Sequence, residues 1–152
     1  MDLQVEGSVA AILEPSLPAE VSCFSVEGFQ YFLRRELAES NRYGHFAAFA
    51  MFRVRGPGGG EQVARLVRCL GQSIRATDFI GKVSPDTVGI ILQHATTENA
   101  LRVLSRLHEE VSRSFPICEK DTIEDAVAVF PTEANTLESL TSLAQQRLNG
   151  HN

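Results

Sequence analysis

The stretch Arg75-Ala-Thr-Asp78-Phe-Ile-Gly-Lys-Val-Ser84-Pro85-Asp86-Thr87-Val88-Gly-Ile-Ile-Leu92 carries the fold in miniature. Asp78 to Val83 and Val88 to Leu92 read as two strands, and Ser84–Thr87 between them reads as a tight turn. Pro85 has no amide hydrogen to give a sheet ladder, so it belongs in that turn. Arg75 and Asp78 stand three residues apart just before the first strand, where a helix gives way to the sheet. Both side chains are expected at the surface.

Working outward, the pattern alternates between helical and extended segments. Val26, Phe29, Phe32, Leu33 and Leu37 make one helical stripe that ends near Asn41–Gly44. Phe46 to Val54 is apolar throughout and reads as a buried strand. Arg55-Gly-Pro-Gly-Gly-Gly60 is a loop by composition, and Val63, Leu66, Val67, Leu70 and Ile74 follow it at helical spacing. After the hairpin, Thr96 or Thr97 can cap a helix whose buried face is Ala100, Val103, Leu104, Leu107 and Val111. Asp125 to Phe130 reads as a strand and Leu137 to Leu148 as a closing helix. An antiparallel-rich sheet with helices packed on it satisfies this order. Residues 1–21, with Pro15 and Pro18, read as a flexible N-terminal arm, and residues 22–152 as one domain.

Composition narrows the function classes. The chain has 152 residues and a formal net charge of -5, which argues against a nucleic-acid polymer as partner. The charge is unevenly placed. Residues 1–29 hold five acids and no base, whereas residues 30–113 hold eleven Arg and one Lys against eight acids. A positive middle between acidic ends suits a small anionic ligand. No apolar run reaches the roughly 20 residues of a membrane span, and the N-terminus lacks the pattern of a signal peptide. Cys23, Cys69 and Cys118 lie far apart and read as reduced thiols in a cytoplasmic protein. His45, His94, His108 and His151 show no metal-ligand spacing, so no metal site and no cofactor is expected. His94 and His108 have no acidic partner at catalytic spacing.

The order of these pieces resembles a GGDEF domain, the fold of the bacterial diguanylate cyclases, over about residues 22–148. Phe29 to Tyr43 is similar to that family's opening helix, and Ala47 to Val54 to its first core strand. Asn99-Ala-Leu-Arg102-Val-Leu-Ser-Arg106-Leu is similar to the helix after its signature hairpin. Ala126-Val-Ala-Val-Phe-Pro131 and Leu140–Arg147 are similar to the later strand and the closing helix, with Gln145 where the family has Asp. The resemblance implies an α/β (α+β), nucleotidyl-cyclase-like fold with a central, mostly antiparallel, five-stranded sheet flanked by helices.

The departures from the family pattern gather at the chemistry. Family members hold two divalent metals with acids at the end of the first strand and in the hairpin. Here the strand end reads Phe52-Arg53-Val54-Arg55. The hairpin reads Ser84-Pro85-Asp86-Thr87-Val88, and Gly56–Gly60 bridges the segment that would hold guanine. Asp86 remains as a turn residue. The resemblance therefore implies a degenerate domain that is not an enzyme.

Arg75-x-x-Asp78 stands where the family places its inhibitory site for cyclic di-GMP. Arg106 stands where a further Arg completes that site, with Arg102 one turn earlier. Arg offers a planar fork of donors to guanine O6 and N7 or to phosphate, and an ionised Asp accepts from guanine N1–H and the exocyclic amine. The expectation is a cyclic di-GMP receptor that uses Arg75, Asp78, Arg106 and Arg102 and regulates a partner protein. The alternative is a nucleotide-independent interaction or dimerisation scaffold. A homodimer stays open under either reading.

Overall fold

The computed structural model describes Leu13 and residues 23–57, 59–75, 77–114 and 122–150. The expected arm over residues 1–21 lies, Leu13 apart, outside the described residues, as do Cys118 and His151. The elements run α1 (Val26–Tyr43), β1 (Ala47–Arg55), α2 (Gly59–Ser73), β2 (Phe79–Ser84), β3 (Thr87–Gln93), α3 (Thr97–Ser114), β4 (Thr122–Phe130) and α4 (Leu137–Asn149). This is the order expected from the periodicities, with most boundaries moved by only a residue or two.

The strands form one antiparallel sheet in the order β2-β3-β1-β4. Among the described residues the sheet thus has four strands rather than the five implied by the resemblance. The extra partner on the β2 edge is a single residue. Phe24 donates its amide to the Ile80 carbonyl at 3.0 Å and accepts from the Lys82 amide at 2.9 Å.

β1 lies between β3 and β4 and is covered on both faces, which explains its unbroken apolar run. Ala48, Ala50, Phe52 and Val54 face one layer with Leu66, Leu70 and Leu107 of α2 and α3. Ala47, Phe49 and Met51 face the opposite layer with Phe29, Leu33, Leu140 and Leu148 of α1 and α4. Period-2 alternation divides the strand between two cores.

The helix ends follow local chemistry. Ser25 caps α1 by accepting from the Gly28 amide at 3.1 Å, and Gly44 closes it in the left-handed region at φ 73°. Of the two candidate caps of α3, Thr96 takes the role, accepting from the Asn99 amide at 3.3 Å. Thr136 and Ser139 form a reciprocal capping box at α4.

Candidate functional site

α2 ends at Ser73 without a basic residue in its own last turn. The positive charge that suits a helix C-terminus comes from two other places. Arg106 reaches across from α3 and its Nη1 donates to the Ser73 carbonyl at 2.9 Å. Arg75 follows two residues after Ser73 and folds back in a closed turn. The Asp78 amide donates to the Arg75 carbonyl at 3.0 Å, and the Arg75 amide donates to Asp78 Oδ2 at 3.1 Å.

The Arg75 guanidinium completes this turn. Its Nε donates to Asp78 Oδ2 at 3.4 Å, and its Nη2 donates to Asp78 Oδ1 at 3.2 Å and to the Gln93 carbonyl at 2.9 Å. Arg75, Asp78 and Arg106 gather at one end of α2. Arg102 does not join them; it pairs with Glu98 on its own helix at 3.4 Å.

Asp78 differs from expectation in exposure. Its side chain is only 2% exposed, whereas that of Arg75 is 58% exposed. Both Asp78 oxygens already accept from Arg75, so this carboxylate orients the guanidinium. Arg75 Nη1 makes no hydrogen bond among the described residues, and neither do Nε and Nη2 of Arg106. Those donors can meet an incoming acceptor such as phosphate or a guanine edge.

A second charged region lies at the other end of the sheet. A cleft of about 700 Å³ is lined by Arg53, Val54, Arg55, Gly56, Gly60, Val63, Lys82, Pro85 and Asp86. Arg53 is nearly buried; its Nε donates to Glu124 Oε1 at 2.9 Å, its Nη2 forms an ion pair with the same oxygen at 2.8 Å, and its Nη1 donates to Asn149 Oδ1 at 2.9 Å. Arg55 donates to the same Glu124 oxygen at 2.7 Å. The strand end is therefore a fixed cationic pair bridged by one carboxylate. Hydrophobicity alone could not reveal this, because Arg53 and Glu124 are partners across the β1–β4 register.

Asp86 is a turn residue, as read from the sequence. Its Oδ1 accepts from the Ser84 and Thr87 hydroxyls at 2.8 and 2.9 Å, and its carbonyl accepts from the Val54 amide at 3.0 Å. Partial burial pushes its carboxyl up, but these hydroxyl bonds, its own amide and the charge of Arg53 outweigh that, leaving it below the usual carboxylate range. His108, expected to lack an acidic partner, pairs through Nδ1 with Asp125 of β4. The two are 17 residues apart and meet because α3 packs against β4.

No family model and no curated relative matches the sequence. Solved structures do match the fold. A diguanylate cyclase protein from Thermotoga maritima superposes with a TM-score of 0.74 at 12% identity, covering 83% of this chain and 95% of that one. The coiled coil and GGDEF domain of DgcB from Caulobacter crescentus, solved with cyclic di-GMP, gives 0.78 at 13% identity over 97% of this chain and 83% of that one. The diguanylate cyclase SiaD from Pseudomonas aeruginosa, solved with its activator SiaC, gives 0.74 at 19% identity over 97% of this chain and 60% of that one. The chain has the α+β fold of GGDEF domains. Among the described residues no helix is long and apolar enough to cross a membrane.

Proposed function

We propose that this chain is a degenerate GGDEF-like domain that binds cyclic di-GMP without making it and relays the bound state to a partner protein in the cytoplasm. The observation that carries the reading is the gathering of Arg75, Asp78 and Arg106 at the end of α2, with guanidinium donors left over. Arg75 and Arg106 offer them to guanine O6 and N7 or to the phosphates. Asp78 holds Arg75 in position. Arg102 is free to leave Glu98, since an exposed pair of this kind is worth at most about 1 kcal/mol. Two of the solved structures with this fold, both of DgcB, contain cyclic di-GMP, which supports the choice of ligand.

Titration calorimetry with cyclic di-GMP tests the proposal. Binding is expected, and Arg106→Ala is expected to weaken it at least about tenfold, or 1.4 kcal/mol. Arg75→Lys keeps the charge beside Asp78 and loses the planar fork, so a similar loss is expected with folding intact. Absence of heat at high micromolar ligand would overturn the receptor reading and favour the nucleotide-independent scaffold. Binding that survives both substitutions would show that the ligand sits elsewhere.

A further inference from the structure

Two imidazole rings meet at the end of the sheet opposite the cationic cleft. His45 follows Gly44, the left-handed cap of α1, and its amide donates to the Ser40 carbonyl at 2.9 Å. His94 follows β3 and is itself in the left-handed region, at φ 57°. β1 and β3 are neighbours, with Ala47 opposite Gln93, so the residues just beyond the ladder come together. The ring centres of His45 and His94 are 4.3 Å apart with a 54° tilt. The Tyr43 ring centre lies 6.0 Å from that of His45.

Neither ring makes a hydrogen bond or ion pair among the described residues. His94 is exposed and His45 half-buried, so solvent reaches the pair. Each neutral imidazole presents one unprotonated nitrogen that can serve as a metal ligand. At metal–nitrogen distances of about 2.0–2.1 Å, two imidazoles on one ion place their ring centres roughly 4.5–5.3 Å apart. The observed separation of 4.3 Å lies just below that range. The backbone on both sides is anchored, by the α1 cap and by the sheet, so little further order is needed.

We propose that His45 and His94 form a two-nitrogen site for a divalent transition-metal ion of the Cu²⁺, Ni²⁺ and Zn²⁺ class. Imidazole suits these borderline ions, and Mg²⁺ or Ca²⁺, which take oxygen ligands, are excluded by the donor set. The described residues bring no group of three or more His, Cys, Asp or Glu together for a metal. Water therefore completes the coordination, and the ion is exchangeable and not needed for folding. The site is separate from the cyclic di-GMP reading and stands whether or not that reading holds. Sequence spacing hid it, since strand register rather than chain proximity joins the two histidines.

The test is calorimetric titration of the tag-free chain with Ni²⁺, alongside the electron paramagnetic resonance spectrum of added Cu²⁺. One equivalent is expected to bind at micromolar concentration, with a two-nitrogen Cu²⁺ signature. His45→Ala and His94→Asn should each weaken binding at least about tenfold. Asn is chosen at 94 because it tolerates the left-handed backbone, and circular dichroism checks that both variants fold. His108→Ala should leave binding unchanged, and Mg²⁺ should give no heat. Absence of Ni²⁺ binding, binding that survives both substitutions, or binding lost with His108→Ala would overturn the proposal.

Discussion

The carboxylate of Glu133 closes the outer edge of β4. Glu133 Oε1 accepts from the Val129 amide at 3.0 Å, and both its oxygens accept from Arg147, at 2.9 and 2.7 Å. Arg147 in turn donates to the Val127 carbonyl at 2.7 Å. Two side chains thus occupy strand-edge groups that could otherwise pair with another chain. The hydrogen bond and charge of Arg147 outweigh desolvation and hold the Glu133 carboxyl below its ordinary value of 4.5. A lowered folded-state value gives stability that is fully present above about pH 4.5 and is lost as pH falls through the folded value. Glu133→Gln should therefore cost about 1 kcal/mol at neutral pH and less at about pH 3.5. Denaturant titrations at the two pH values check this; an equal cost at both would show that the charge contributes nothing.

At the scale of elements, the packing of α1 on the sheet depends on two glycines. Gly81 of β2 and Gly89 of β3 are opposite one another in the ladder, and the Phe29 ring lies directly on both. A Cβ built at Gly81 would come within 2.6 Å of that ring, and one at Gly89 within 2.7 Å. Gly89→Ala is expected to destabilise the fold by about 1–3 kcal/mol through overpacking. The cost should shrink in a Phe29→Leu background, because the two residues share one contact. Strictly additive thermal shifts in the double variant would refute this account of the interface.

The Phe29 stripe and both strands of the hairpin were legible in the sequence, because apolar periodicity reports which side of an element is covered. The glycine pair beneath Phe29 was not legible. Close approach of a ring to backbone depends on strand register, and a Gly in a strand run is equally readable as a bulge. The same limit explains Arg53 with Glu124, His108 with Asp125 and His45 with His94, each joined by tertiary contact. Arg75 and Asp78 were legible as neighbours where a helix gives way to the sheet, because their spacing is local, whereas the closed turn they form and the burial of Asp78 were not. The fifth strand was expected from the resemblance rather than from any extended run in the chain.

At the scale of the whole molecule, two separate apolar layers on one four-stranded sheet are expected to hold the core without a cross-link or metal. Cys23 is buried and Cys69 is partly buried. Chelator and reductant, alone or together, are expected to leave a single cooperative thermal transition unchanged within about 1 °C, since neither alters the buried apolar contacts. A large drop with chelator alone would mean that a bound ion contributes to the fold.

The proposed loss of cyclase activity also belongs to this scale, because it depends on two strand ends and a turn at once. Metal-assisted attack of one nucleotide on another needs carboxylates that hold divalent ions against the triphosphate. The cleft at this position is lined by Arg53, Arg55 and Lys82, with Asp86 as its acid. Asp86 is held by Ser84 and Thr87, and Glu124 by Arg53 and Arg55. A divalent ion entering here would meet Asp86 beside the guanidinium groups of Arg53 and Arg55 rather than a set of carboxylates. With GTP and Mg²⁺ or Mn²⁺, the chain is expected to form no cyclic di-GMP above a no-protein control. Thr87→Glu alone should not restore activity, because it adds one acid to a cleft whose strand end remains cationic. Arg53→Asp should instead lower stability by about 3–5 kcal/mol, since it removes a nearly buried partner of Glu124 and sets a second carboxylate beside it. Product formed by the unaltered chain in a metal-dependent manner would overturn the proposed inactivity, and unchanged stability of Arg53→Asp would show that the Arg53–Glu124 pair does not organise this end of the sheet.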